Sequence, residues 1–190
     1  MNWVEIIAAA LGLIGIGLQI KQSHWYWLTS ILMVTLYIYV FYQSKFYADM
    51  SFQFYYLIVS IYGWYLWLKK SKKPDSETKY TVNRLNNKQL AISLLISGIL
   101  FIAIYFILKR FTDSPVPVGD AFTTALSITA TWLLAKKHLE NWLFWIVVDA
   151  VSTALYIVKG LYPTAILFTV LTILAVVGYF KWRKEALQHA

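Results

Sequence analysis

Seven long apolar runs dominate this chain, and several of them approach twenty residues. A helix rises about 1.5 Å per residue, so a run of that length crosses the ~30 Å hydrocarbon core of a bilayer. Hydrophobic residues fill 59% of the 190 positions, more than a soluble domain of this size can hide. The runs are continuous rather than alternating, which argues against a barrel. The expected fold is therefore an all-α, multi-pass membrane protein. Its spans are placed at 4–20, 25–42, 50–68, 89–108, 120–135, 141–158 and 161–180. The amino end, "MNWVE", lacks a basic leader and carries Glu5, so the first run reads as a retained span.

A net charge of +8 would suit nucleic acid, but its placement points elsewhere. The cations lie between the apolar runs, at span ends, where they set topology. One side holds Lys21, seven cations of the 69–88 linker, Lys136, Lys137, Lys181, Arg183 and Lys184. The other side holds Lys45, Lys109, Arg110 and Lys159. The positive-inside rule makes the richer side cytoplasmic, with the amino end outside and the carboxyl end inside. The stretch "KKSKKPDSETKY" reads as a polar, mobile linker. "FTDSPVPVGD" reads as an outer loop stiffened by Pro115 and Pro117.

Parts of the chain echo each other. Glu5 and Lys21 bracket the first span as Asp120 and Lys136 bracket the fifth. "GWYLWLKK" from Gly63 resembles "GYFKWRK" from Gly178, and "LYIYVFYQSKFY" resembles "LYIVKGLY" with four residues removed. Spans 1–3 thus correspond to spans 5–7, with span 4 as connector. The expected units are 1–68, a 69–119 linker-plus-connector, and 120–190. Spans 1 and 5 run in the same direction, so the repeat is parallel, one of the recognised transporter architectures.

The sixth span carries the residue that most needs a reason. Asp149 stands near the middle of "NWLFWIVVDAVSTALYIV", and no Lys or Arg lies deep in any span to pair with it. An ionisable group at that depth is a functional candidate, against the plainer reading of a buried hydrogen-bonder between helices. Trp142, Trp145, Asp149, Ser152 (or Thr153) and Tyr156 recur at steps of three and four, making one stripe. Indole faces attract cationic or aromatic rings. Interfacial belts explain Trp142 as well, but the deeper Trp145 less so. On the third span, Asp49, Gln53, Tyr56 and Ser60 form a second polar stripe, read either as site or as interhelical glue. Thr124, Ser127 and Thr131 share a face of the fifth span, where packing competes with ligand contact. Gln19, at the cytoplasmic end of the first span, reads as a gate or as an interface residue.

Several chemistries are not supported. Cysteine is absent, and His24 and His138 lack the spacing of a metal site, so no metal or cofactor is expected. No phosphate loop, nucleophile elbow or zincin motif occurs, so an enzyme is not expected either. A retinal-type photoreceptor needs a mid-span lysine on the last span, and Lys181 lies at its end.

"GDAFTTALSITATWLLAKK", "LLAKKHLENWLFWIVVD", "LYIVKGLYPTAILF" and "GYFKW" resemble the PnuC family of vitamin transporters. The resemblance covers most of the chain and is strongest over about 119–184. It implies a seven-helix 3 + 1 + 3 core like a full-length SWEET transporter, a homotrimer, and an inner (plasma) membrane location. It also implies facilitated diffusion of a vitamin, trapped by a cytoplasmic vitamin kinase. The matching motif carries over Asn141, Trp142 and Trp145 as ring-binding and hydrogen-bonding residues. Asp149, Gln53, Tyr56, Tyr156 and Thr131 are added as further substrate contacts. Only seven spans fit, so the extra amino-terminal helix of some members is not expected. Nicotinamide riboside and thiamine both carry a cationic aromatic ring and suit this set better than neutral, larger riboflavin. Proton coupling through Asp149 is the competing mechanism.

Overall fold

The computed structural model describes residues 3–43, 47–71 and 81–188. Among them are seven helices: α1 (Trp3–Ile20), α2 (Trp25–Gln43), α3 (Tyr47–Ser71), α4 (Asn87–Phe111), α5 (Pro117–Ala135), α6 (Asn141–Val158) and α7 (Tyr162–Gln188). Each expected span lies within one helix to a residue or so, and α3, α4 and α7 run several residues past theirs. Lys45 and most of the basic linker (72–80) lie outside the described residues. Five helices, α2 and α4 to α7, are long and apolar enough to cross a membrane. Tyr, Trp and Gln53 lower the hydropathy of α3, although its 25 residues give ample length.

The chain forms two compact units, Met1–Thr81 and Val82–Ala190. In the first, α2 packs against both α1 and α3. In the second, neighbours in sequence are neighbours in space, α4 on α5, α5 on α6 and α6 on α7. The inner position of α5 shows in its residues: Ala121, Ala125, Ala130, Leu133, Leu134 and Ala135 are buried. Small side chains there let the flanking helices approach closely. The outer helices are apolar all round. Leu95 and Phe106 on α4 and Ile166 and Phe180 on α7 are exposed apolar side chains, as expected of membrane-spanning helices.

Local signals set the helix ends. Asn86 and Gln89 close a capping box at the start of α4, with Gln89 N donating to Asn86 Oδ1 at 2.8 Å and Asn86 N to Gln89 Oε1 at 3.0 Å. Lys109 and Arg110 occupy its last turn, where the helix dipole favours cations. Pro117 opens α5 and lacks the amide that a first turn leaves unused.

The same geometry occurs in both units at the separation that joins Glu5 to Asp120. After α1, Gln22 turns left-handed with φ 54°; after α5, Lys137 does so with φ 55°. Ser23 N donates to Leu18 O at 2.9 Å, and His138 N to Leu133 O at 3.0 Å, the long bond of a Schellman cap in each. Trp27 meets Trp67 edge-on at 5.5 Å, and Trp142 meets Trp182 edge-on at 5.5 Å. A methyl on Gly63 would lie 2.4 Å from the Trp27 ring, and one on Gly178 would lie 2.5 Å from Trp142. Each glycine thus leaves room for an indole to lie against the helix backbone. The spacing is constant through Tyr47 and Tyr162, the first residues of α3 and α7, so no four-residue gap is needed.

Candidate functional site

Six of the eight expected contact residues lie in the second unit: Thr131 on α5, and Asn141, Trp142, Trp145, Asp149 and Tyr156 on α6. Gln53 and Tyr56 lie on α3 of the first unit, half-buried, with Tyr56 edge-on to Tyr55. The side chain of Asp49 lies outside the described residues.

Along α6 the stripe divides by what each side chain touches. Trp142 is fully buried, wedged over Gly178 and against Trp182 of α7. Trp145 is half-buried and packs on the cluster of Leu126, Ala130, Leu133, Phe144 and Val148. The two rings thus have different packing partners, α7 for one and the α5 side for the other. Tyr156 lies at the far end of the helix, its ring 5.0 Å from Phe168. Thr131 is buried and gives its hydroxyl proton to Ser127 O at 2.8 Å, so its donor is already used within α5.

The polar atoms of the stripe are short of partners. Asn141 is fully buried; its Nδ2 donates to His138 O at 2.6 Å, but its Oδ1 has no partner among the described residues. The indole nitrogens of Trp142 and Trp145 and Nδ1 of His138 are likewise buried and unmatched. Asp149 is 5% exposed, and among the described residues no cation or hydrogen bond reaches its carboxylate. Buried polar groups normally find partners, so several unmatched ones along one helix face point to a polar ligand.

The first unit supplies an internal control. At the recurring separation, Val34 occupies the place of Asp149 and Ser30 that of Trp145. Ser30 shares a 2.9 Å hydrogen bond with Ser60, so that position is satisfied within the unit. Trp27 shares with Trp142 both the wedged packing and the unmatched indole nitrogen. The unmatched nitrogen of Trp142 therefore follows from its packing. Asn141 Oδ1, Trp145 and Asp149 have no such counterpart.

Charged groups stand at the two ends of the unit. At the end assigned to the outside, Lys159 Nζ meets Asp120 Oδ1 at 2.8 Å, and Ser114 Oγ donates to Asp120 Oδ2 at 2.6 Å. At the other end, burial pushes Lys137 down to about 8, with Glu185 opposing. Its ordinary value is 10.5, so between roughly pH 8 and 10.5 the unfolded chain holds more of this proton and stability rises with pH. Lys137→Met removes the charge and keeps an apolar stem. Its advantage in thermal midpoint over the wild type is expected at pH 7 and should shrink as pH rises to 10.

Comparison with known proteins follows this geometry. The chain is 24% identical over 208 residues to the nicotinamide riboside transporter PnuC of Escherichia coli, covering 98% of this chain and 87% of that one. It is 23% identical over 181 residues to the riboflavin/roseoflavin transporter RibM of Streptomyces davaonensis, covering 95% and 84%. Its fold is similar to the crystal structure of the vitamin B3 transporter PnuC, with a TM-score of 0.77 at 24% identity over 99% of this chain and 83% of that one. The sequence model of the family described as nicotinamide mononucleotide transporter matches residues 2–184, nearly the whole length, and the chain belongs to that family.

Proposed function

We propose that this chain carries a vitamin across the membrane and that its substrate is nicotinamide riboside. The observation that carries the reading is Asp149, a buried mid-span carboxylate without a cationic partner among the described residues. A pyridinium ring brings the missing positive charge. The half-buried Trp145 offers an indole face to that ring, and Trp142 holds the head of α6 against α7. Asn141 Oδ1 accepts from a carboxamide or ribose hydroxyl. Tyr156 and Thr131 are the further proposed contacts within this unit. Curated relatives that carry nicotinamide riboside support the choice. The charge of the ring makes thiamine the second reading, and the likeness to a riboflavin/roseoflavin carrier at 23% identity keeps riboflavin as the third.

The matched caps and Trp–Gly–Trp packing support a duplication of spans 1–3 as spans 5–7 around α4, the SWEET-like 3 + 1 + 3 plan. Alternating access then exposes the site to each side of the membrane in turn. Transport is facilitated diffusion by a homotrimer in the inner membrane, amino end outside and carboxyl end in the cytoplasm. A cytoplasmic kinase traps the product. Proteoliposomes loaded with buffer should take up labelled nicotinamide riboside only to the external concentration, with or without a pH gradient. Accumulation beyond that level under a gradient would replace facilitation by proton coupling.

A further inference from the structure

We propose that Glu140 is a positioning residue: it clasps a strap of chain across the head of α6 and thereby sets Asn141 and Trp145 for substrate. The inference rests on the functional reading above. The strap is the non-helical stretch 82–86 that leads into α4. Asn83 N donates to Lys137 O at 3.0 Å and Leu139 N donates to Asn83 O at 2.9 Å, forming a parallel bridge between Asn83 and His138. Two residues further along the strap, Leu85 N donates to Glu140 Oε2 at 2.9 Å.

This contact is built to matter. Glu140 is buried, whereas most carboxylates at a membrane–water boundary are solvated. It gives no cap bond to its own helix, so its charge is spent on the strap. Arg84 Nε lies 3.9 Å from Oε1, but the arginine is largely exposed, which makes the ion pair the minor part of the clasp. The Leu85 amide is the buried, charge-assisted part.

The strap reaches the site through two routes. Leu85 packs its side chain on the same apolar cluster that supports Trp145. The bridge also holds the 137–139 backbone, and Asn141 Nδ2 is anchored on His138 O at 2.6 Å. Loosening the strap therefore frees both the amide and the indole, although Glu140 itself need not touch the ligand.

Binding of nicotinamide riboside and uptake should be measured for Glu140→Ala, Glu140→Gln and Leu85→Pro in the full-length protein. Glu140→Ala and Leu85→Pro each remove the clasp bond, and each should weaken binding about tenfold and raise KM while maximal uptake is kept. Their combination should be no worse than Leu85→Pro alone, which also loses the leucine's packing on the cluster. Glu140→Gln keeps an acceptor oxygen and should stay within about threefold of the wild type. Hydrogen exchange of the 81–90 segment, read without substrate, should speed up in Glu140→Ala and not in Glu140→Gln. Faster exchange with unchanged affinity would overturn the positioning role. Equal losses in Glu140→Gln and Glu140→Ala would also overturn it, placing the charge itself on the substrate. A wild-type protein that binds no nicotinamide riboside, while the strap still loosens in Glu140→Ala, would sink the substrate reading and leave the clasp standing.

Discussion

Asp149→Ala should weaken binding of nicotinamide riboside about thirtyfold or more and leave the protein at least as stable as the wild type. The carboxylate is buried at mid-span, and its neighbours provide neither cation nor donor among the described residues. Such a group is costly to keep and is best explained by the ligand that uses it. Losing the charged partner of a cationic ring costs about 2 kcal/mol or more, roughly thirtyfold in affinity. Asp149→Leu should raise the thermal midpoint, because a charge leaves the bilayer and apolar contact replaces it. Asp149→Asn keeps the shape and removes the charge, so it should lose the cationic vitamin while neutral ligands are unaffected. A structural carboxylate would behave in the opposite way: all three variants would lower the midpoint.

Gly178→Val should be the most damaging substitution outside the site. The added Cβ alone would lie 2.5 Å from the Trp142 ring, and the indole is fully buried. Overpacking of that kind costs about 1–3 kcal/mol, and the β-branch adds bulk on the same face. Because Trp142 stands next to Asn141, the strain falls on the head of α6, and affinity should drop with stability. Gly63→Val tests the matching contact at Trp27, where the collision is equally close. It should destabilise to a similar extent. Unfolding midpoints in detergent, measured beside binding, separate the two effects: Gly178→Val loses both, and a midpoint unchanged in either variant contradicts the wedge.

Much of this was legible in the residues. Long apolar runs bounded by charge place the helices to within a few residues, because a bilayer imposes a length and forbids open backbone. The echo of "GWYLW" with "GYFKW" corresponds to matched contacts, since Gly and Trp four residues apart share one helix face. The α6 stripe was visible from spacing alone. Which neighbour each tryptophan touches was not, because periodicity gives an angle around one helix and says nothing of where the next helix lies. The strap was invisible for a different reason. Leu85 and Glu140 are 55 residues apart, and the bond uses a backbone amide that any residue carries. The stretch after the lysines therefore read only as the end of the 69–88 linker.

The central claim is that the α6 stripe is built for a cationic ring. Calorimetric titration of the purified wild-type protein with nicotinamide riboside, thiamine and riboflavin, repeated on Trp145→Ala, tests it most directly. Nicotinamide riboside should bind tightest and riboflavin weakest, with Trp145→Ala losing about tenfold or more for the cationic ligands. Tight riboflavin binding with no response to either cation, or affinities untouched by Trp145→Ala, would contradict the account.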